Sequence, residues 1–282
     1  MNQIDIAKEV NDQDYEYKFS VCTLVTRKSE YEEMLASFVD AGFNTTDCEY
    51  LYIDNSIENK KDAFSAFNHF IRVAKGKYTI ICHQDILLND ANRDQLEKCI
   101  AELDELDSSW AVLGNAGGVC LGVRAICITD IGGHFKSKKL PLPVSSLDEN
   151  FIVLKSDANL ATSSDLSGFH LYGTDICQIA KILGYRSYVI DFNLYHKSKG
   201  NCDDSFYELK KVLIKKYKYA LKSEYIQTTV TRMYVGGSCI KNFICNIGII
   251  ASLNKRIQQS LFHLKGPMVF HKRLDNKTKL NK

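Results

Sequence analysis

Through the first half of the chain, short apolar runs alternate with stretches of helical periodicity. Phe19 to Val25 is apolar or small throughout and reads as a strand, and residues 29–40 (SEYEEMLASFVD) read as an amphipathic helix. Ser29 stands at the cap position of that helix and Glu32 at its capping-box position. Glu49 to Ile53 is a second strand, running into Asp54-Asn55-Ser56. A second helix covers 60–74 and is closed by Lys75-Gly76-Lys77. Tyr78 to Cys82 is a third strand ending in His83-Gln84-Asp85, and residues 90–105 are a third helix. Trp110 to Leu113 is a fourth strand, followed by a Gly-rich turn at 114–118. Strands that are apolar on both faces and spaced by helices predict a mostly parallel sheet with helices on each side.

The middle of the chain is less regular. Residues 119–160 mix short strand-like pieces with Gly132-Gly133 and the Pro141/Pro143 loop. Residues 168–175 (GFHLYGTD) lead into a helix over about 176–183. Tyr188 to Ile190 is a short strand, followed by Tyr195-His196. A Lys-rich helix is predicted over 205–222, another helix over 239–260, and a loose basic tail over the last twenty residues.

Charge divides the chain in two. Residues 1–204 carry 20 Lys and Arg against 31 Asp and Glu, whereas residues 205–282 carry 16 against 3. The expected domains are therefore an α/β body, 1–204, and a basic helical extension, 205–282. The extension suits an anionic surface or is simply a solvated helix face. A net charge of +2 gives no general affinity for nucleic acid. The ten cysteines form no C-x-x-C pair, and most lie in apolar runs, which fits buried thiols in a reducing compartment rather than a zinc site or a disulfide framework. The polar N-terminus shows no signal-peptide pattern, and no run of eighteen apolar residues exists, so a cytoplasmic location is expected.

Ligands of open α/β sheets bind beyond the carboxyl ends of the strands. Polar residues gather at those ends here: Thr26-Arg27, Asp54-Asn55 and His83-Gln84-Asp85. His83 and Asp85, two residues apart on an extended chain, point the same way and can share a divalent ion. A turn in which Asp85 caps the next loop would give the same sequence. Asp54 suits either ribose hydroxyls and base N–H groups or an Asx-turn. Asp175 suits either a general base at a cleft edge or a helix cap. Walker, G-x-G-x-x-G, H-E-x-x-H and G-x-S-x-G motifs are absent, which argues against P-loop kinases, dinucleotide dehydrogenases, zincins and α/β-hydrolases.

Taken together, the Asp54-Asn55-Ser56 turn, the segment AFSAFNHFIRVAKGKY running into TIICHQDILL, the later GFHLYGTD and the YHKSKGN resemble the family-two-like glycosyltransferases of the GT-A fold. The form is similar to a bacterial subgroup with His-Gln-Asp in place of D-x-D. The resemblance covers about residues 18–235. It implies transfer of a sugar from a nucleotide-diphosphate donor to a hydroxyl of a glycan or lipid-linked acceptor; the likeness favours inversion, and a retaining transfer from the same donor site, with a different role for Asp175, is the alternative. Thr26, Asp54, Asn55 and Asp85 are then the expected nucleotide-sugar contacts. His83, Asp85 and His196 are the expected ligands of Mn2+ or Mg2+, and Asp175 is the expected catalytic base. An imidazole at position 83 favours Mn2+ over Mg2+. Peripheral attachment of the basic extension to the inner face of a membrane is also expected. The competing readings are a non-catalytic nucleotide-sugar or glycan-binding protein of the same fold and a metal-dependent nucleotidyltransferase. The latter lacks the phosphate loop it would need.

Overall fold

The computed structural model describes residues 14–198, 200, 203–227 and 229–265. The tail beyond 265, residues 1–13 and Cys202 lie outside the described residues. The chain divides into two compact units, residues 1–213 and 214–282.

Unit 1 contains, in chain order, β1 (Tyr17–Val25), α1 (Lys28–Asp40), β2 (Cys48–Asp54), α2 (Ala63–Val73), β3 (Gly76–Cys82), β4 (Ile86–Leu87), α3 (Arg93–Leu106), β5 (Trp110–Gly114), β6 (Ala116–Cys120), β7 (Val123–Asp130), β8 (Gly133–Lys136), β9 (Leu142–Val144), β10 (Ser146–Leu147), β11 (Phe151–Lys155), α4 (Tyr172–Ile182), β12 (Arg186–Val189) and β13 (Tyr195–His196). It ends within α5 (Asp204–Ala220). The main sheet runs β2-β1-β3-β11-β5-β12-β9, and a second sheet runs β10-β6-β7-β13-β4 with β8 alongside β7.

The α/β class is as expected, but the main sheet is mixed rather than mostly parallel. β1 pairs in parallel with β2 and β3, and β12 with β5. β11 runs antiparallel between β3 and β5, and β9 antiparallel on the β12 edge. The reversal arises in the stretch read as irregular, where hairpins return the chain to the sheet centre. One core of fully buried rings and aliphatics, including Phe19, Phe38, Trp110, Phe151 and Phe192, fixes the sheet against its helices.

Several local expectations change for identifiable reasons. Ser29 does not cap α1: the helix begins at Lys28, and Arg27 occupies the cap position without a side-chain bond. Asp62 does cap α2, accepting from the N–H groups of Phe64 and Ser65. Gly76 is not a helix stop but the first residue of β3. A Cβ there would lie 2.5 Å from the Ser20 nitrogen, so glycine lets β1 and β3 close. The glycines at 117 and 118 form strand β6 rather than a turn, because a Cβ on Gly117 would meet the Ser146 carbonyl oxygen at 2.3 Å. The helix expected from 176 starts at Tyr172, which moves Thr174 and Asp175 into its first turn. Six cysteines (22, 48, 82, 99, 127 and 177) are buried thiols, while Cys120 and Cys239 are exposed.

Unit 2 continues α5 and adds the hairpin β14 (Glu224–Gln227) and β15 (Arg232–Val235), then α6 (Cys239–Asn246) and α7 (Gly248–Lys265). The helix expected over 239–260 is thus two helices, parted at Ile247. The Asn246 side chain bonds the N–H and the carbonyl of Tyr234, and the Tyr225 hydroxyl donates to the Cys245 carbonyl, tying hairpin to helix. No helix among the described residues is long and apolar enough to cross a membrane.

The close approach at Gly76 gives a direct test of the register between β1 and β3. Gly76→Ala should lower stability by about 1–3 kcal/mol, as overpacking does. In urea unfolding the midpoint should fall with the slope unchanged. An unaltered midpoint would contradict the packing described.

Candidate functional site

The site is built on the turn between β3 and β4, where His83, Gln84 and Asp85 follow a strand that is buried at every position except Lys77. Gln84 points back into the fold. Its Oε1 accepts from the N–H groups of Thr26 (2.8 Å) and Arg27 (2.9 Å), and its Nε2 donates to Thr26 Oγ1 (2.8 Å). The carboxyl ends of β1 and β3 are thereby clamped together. His83 and Asp85 flank this clamp and face the same way, with His83 Nδ1 3.9 Å from Asp85 Oδ1.

His196 arrives from far along the sequence by strand pairing. β13 lies antiparallel to β4, opposing His196 to Ile86, and parallel to β7, opposing it to Asp130. His196 Nε2 lies 3.4 Å from Asp85 Oδ1, and the Lys197 N–H donates to the Asp85 carbonyl at 3.0 Å. Ser198 Oγ is 3.2 Å from His196 Nε2. One donor atom each from His83, Asp85 and His196 falls within 4.8 Å of the others. A divalent cation with bonds of about 2.1 Å spaces its ligands about 3–4 Å apart, so a small contraction would let this donor set hold one.

Burial of Asp85 favours its protonated form, but the hydrogen bond and charge of His196 and the nearby His83 outweigh that and hold its pKa well below the ordinary carboxylate range. Burial likewise opposes protonation of His196, and Asp85 again outweighs it, so the His196 pKa is raised. His83 is shifted down by the protein packed around it, only partly offset by Asp85.

Beside the triad a cavity of about 270 Å³ opens between the strand ends and α2. Ala63, Ala66, Phe67 and Phe70, at helical spacing on α2, form one apolar wall with Leu24. Thr26, Arg27, His83, Gln84 and Asp85 supply the polar rim, and Tyr172 and Phe169 close the far side.

Of the other residues expected at the site, one lines the cavity and three do not. Thr26 lines the cavity, but its N–H and hydroxyl are held by Gln84. Asp54 forms the Asx-turn, accepting from the Ser56 N–H (2.9 Å) and hydroxyl (2.5 Å), and pairs with Lys28 Nζ at 3.0 Å. Those bonds, the serine's first, depress its pKa, and Asp54 does not line the cavity. Asn55 is buried, and its amide bonds the Lys60 N–H and both the N–H and carbonyl of Lys61, which holds the following loop rather than a ligand. Asp175 is not at a cleft edge. It is fully buried, and its two oxygens accept from the Ser163 N–H (2.7 Å) and hydroxyl (2.8 Å).

Two groups missed in the sequence are brought together by the start of α4, one of them against the triad. Tyr172 is buried, with its hydroxyl 3.2 Å from His83 Nε2. Glu149, in the turn between β10 and β11, places Oε1 3.2 Å from the Gly173 N–H at the start of α4. Burial, with the charge of Asp148, pushes its carboxyl up to about 8, the Gly173 N–H opposing only partly. The acidic turn Asp148-Glu149-Asn150 was visible in the sequence, but only the fold brings it to α4.

These features define a mixed α/β protein with a His/Asp/His donor set of cation-binding type beyond the carboxyl ends of parallel strands. The chain belongs to the family of the ATP synthase subunits region ORF 6 protein of Fuscovulum blasticum, with which it is 34% identical over 226 residues, covering 78% of this chain and 91% of that protein. No protein-family model matches it. Among solved structures it is similar to S. aureus TarS (16% identity, TM-score 0.48, 71% of this chain and 39% of that one). It is also similar to the mannosyltransferase PcManGT of Pyrobaculum calidifontis, solved with GDP-Man and Mn2+ (13% identity, TM-score 0.48, 76% and 68%). The chain thus spans well under half the length of TarS.

The raised carboxyl of Glu149 fixes the sign of a pH effect. Between its ordinary value of 4.5 and about 8 the folded protein holds a proton that the unfolded chain has released. Stability from this group is therefore fully present below 4.5 and is lost as pH rises through 8. Glu149→Gln removes that loss. The melting temperature of the variant relative to wild type should rise between pH 5 and pH 8.5. A difference that is flat across that range would contradict a desolvated Glu149.

Proposed function

We propose that this chain is a GT-A-fold glycosyltransferase that moves a sugar from a nucleotide-diphosphate donor to an acceptor hydroxyl with inversion. The observation that carries the reading is the convergence of His83, Asp85 and His196 beside a mostly apolar cavity that His83 and Asp85 help to line. The resemblance of residues 18–235 to family-two-like transferases supports it.

In this reading the wall of Phe67, Phe70 and Leu24 takes the flat face of the donor's base, and the triad side faces its diphosphate. His83, Asp85 and His196 would hold Mn2+ in preference to Mg2+, because two of the three donors are imidazoles. Such a cation supplies charge neutralisation for the departing nucleoside diphosphate. Arg27, exposed on the rim and paired through Nε with Glu30 at 2.7 Å, adds further guanidinium N–H donors there. Asp54 and Asn55 shape the loop before α2 rather than touching the base. The acceptor hydroxyl's proton passes to the ionised form of Glu149, which predominates above about pH 8. A carboxyl tuned toward 8 is a stronger base than an ordinary one, and Asp175 already has both oxygens committed to Ser163. Asp175 then keeps the 162–163 segment seated on α4. The binding-protein reading draws on one observation, the imidazole of His83 where a transferase of this kind has its first acidic residue.

The second unit fits an anionic bilayer surface. Residues 214–265 carry nine Lys and Arg against one acidic residue. Ile240 and Phe243 on α6 and Ile249, Leu253 and Ile257 on α7 are all more than half exposed. On α7 these three recur every fourth residue, one stripe of the helix, bordered by Arg256. Each basic residue near an anionic surface contributes about 1 kcal/mol.

Release of nucleoside diphosphate from a panel of nucleotide-sugars, with and without Mn2+, separates the enzyme from the binding protein. Turnover is expected. Donor binding without turnover, on any acceptor, would instead support the binding-protein reading. With the donor known, Asp85→Asn should abolish the Mn2+-dependent part of donor binding while the melting temperature holds. Wild-type binding by that variant would refute the cation assignment. Glu149→Gln should keep donor affinity and lose transfer by about 10²–10⁴-fold. Near-normal transfer would return the base role to another group. For the bilayer contact, the full chain should float with vesicles containing anionic phospholipid and not with neutral ones. A Phe243→Glu/Ile249→Glu/Leu253→Glu variant should stay at the bottom of the gradient; equal flotation of the two proteins would reject this surface.

A further inference from the structure

The two ring nitrogens of His83 have different neighbours. Nδ1 faces Asp85 Oδ1, whereas Nε2 lies 3.2 Å from the Tyr172 hydroxyl. The same hydroxyl lies 3.2 Å from the carbonyl oxygen of Glu149. A phenol carries one proton and a carbonyl only accepts, so the Tyr172 proton goes to Glu149. The phenol oxygen is then left to accept from His83, which requires the hydrogen of the imidazole to be on Nε2.

We propose that Tyr172 is a positioning residue that locks His83 in its Nε2–H tautomer and so presents the Nδ1 lone pair toward Asp85 for a divalent cation. The inference rests on the cation-site reading above and adds the device that makes one of its ligands competent. A ligating histidine commonly donates its other N–H to a fixed acceptor, which sets both tautomer and ring orientation.

The surroundings hold Tyr172 in this role from every side. Its ring is 5% exposed and packs edge-on against Phe64 and Phe67 of α2. Leu171, immediately before it, takes the left-handed backbone conformation at φ 60°, unusual for a branched side chain and kept only where the fold demands it. Gly173, immediately after it, sits so near the Leu147 carbonyl that a Cβ would approach to 2.4 Å. The segment that receives Tyr172 also receives His83 directly, because the His83 N–H donates to the Asn150 carbonyl at 2.9 Å. Residues 149 and 150 thus hold the backbone of His83 by one carbonyl and its ring, through Tyr172, by the next.

The test uses the full chain, metal-free and 15N-labelled, with the His83 signals assigned by their loss in His83→Gln. Long-range 1H–15N spectra above pH 7.5 should show His83 as the Nε2–H tautomer in wild type. Tyr172→Phe keeps the ring packing and removes the acceptor, so His83 should shift to the other tautomer or to a mixture. Mn2+ affinity, measured calorimetrically without nucleotide, should fall about 10–100-fold, the usual effect of losing such a partner. An Nδ1–H tautomer in wild type would overturn the proposal without any variant. So would a Tyr172→Phe protein that keeps both the wild-type tautomer and the wild-type affinity. Wild-type protein that shows the expected tautomer but binds no Mn2+ would overturn the cation-site reading, and with it the purpose assigned to Tyr172, while leaving the hydrogen-bond relay standing.

Discussion

The contact between Asp85 and His196 is the point on which the site depends. Asp85 is buried, and a buried carboxylate needs a partner or it takes up a proton. His196 supplies that partner, and the pairing of β13 with β4 keeps it there. The same contact leaves two imidazole nitrogens and one carboxylate oxygen gathered on one spot beside a mostly apolar cavity. Without β13 the turn after β3 would be an acidic loop on a strand end. With it, the turn becomes a donor set of cation-binding type.

The rest of unit 1 serves to hold that turn. Gln84, between the two candidate ligands, uses its carbonyl oxygen and one N–H on Thr26 and Arg27, so the ends of β1 and β3 cannot separate without losing three hydrogen bonds. Below the turn, the glycine at 76 lets the two strands approach closely. Above it, the start of α4 is pressed against the Leu147–Asn150 segment, which brings Tyr172 to the ring of His83 and Glu149 to the helix terminus. Asp62 and Asp175 support the neighbouring elements. The first caps the helix that forms the cavity wall, and the second ties Ser163 to α4.

Much of this was legible in the residues. The alternation of apolar runs and amphipathic stretches located β1, α1, β2, α2, β3 and α3 to within a few positions, because each of those elements buries a local pattern. His83 and Asp85 could be paired from sequence, since they flank one turn. Even His196 was singled out, though only the resemblance linked it to them. What could not be read were contacts decided by close backbone approach or by distant pairing. The glycines at 117 and 118 look like a turn until Ser146 is known to lie against them. Asp175 looks like a cap or a base until α4 is seen to begin three residues earlier, at Tyr172, which turns its carboxylate inward onto Ser163. Asp54 and Asn55, equally suited to a ligand or to a turn, are both used by their own loop. The antiparallel insertion of β11 has no local signature, since a strand buried on both faces reads the same in either direction.

The central claim is that His83, Asp85 and His196 together form a divalent-cation site. Anomalous scattering from crystals grown with Mn2+, with data collected on both sides of the manganese absorption edge, tests it most directly. The account predicts one strong peak lying within bonding distance of His83 Nδ1, an Asp85 carboxylate oxygen and His196 Nε2. Manganese bound elsewhere on the protein, with those three side chains left as they stand, would contradict it.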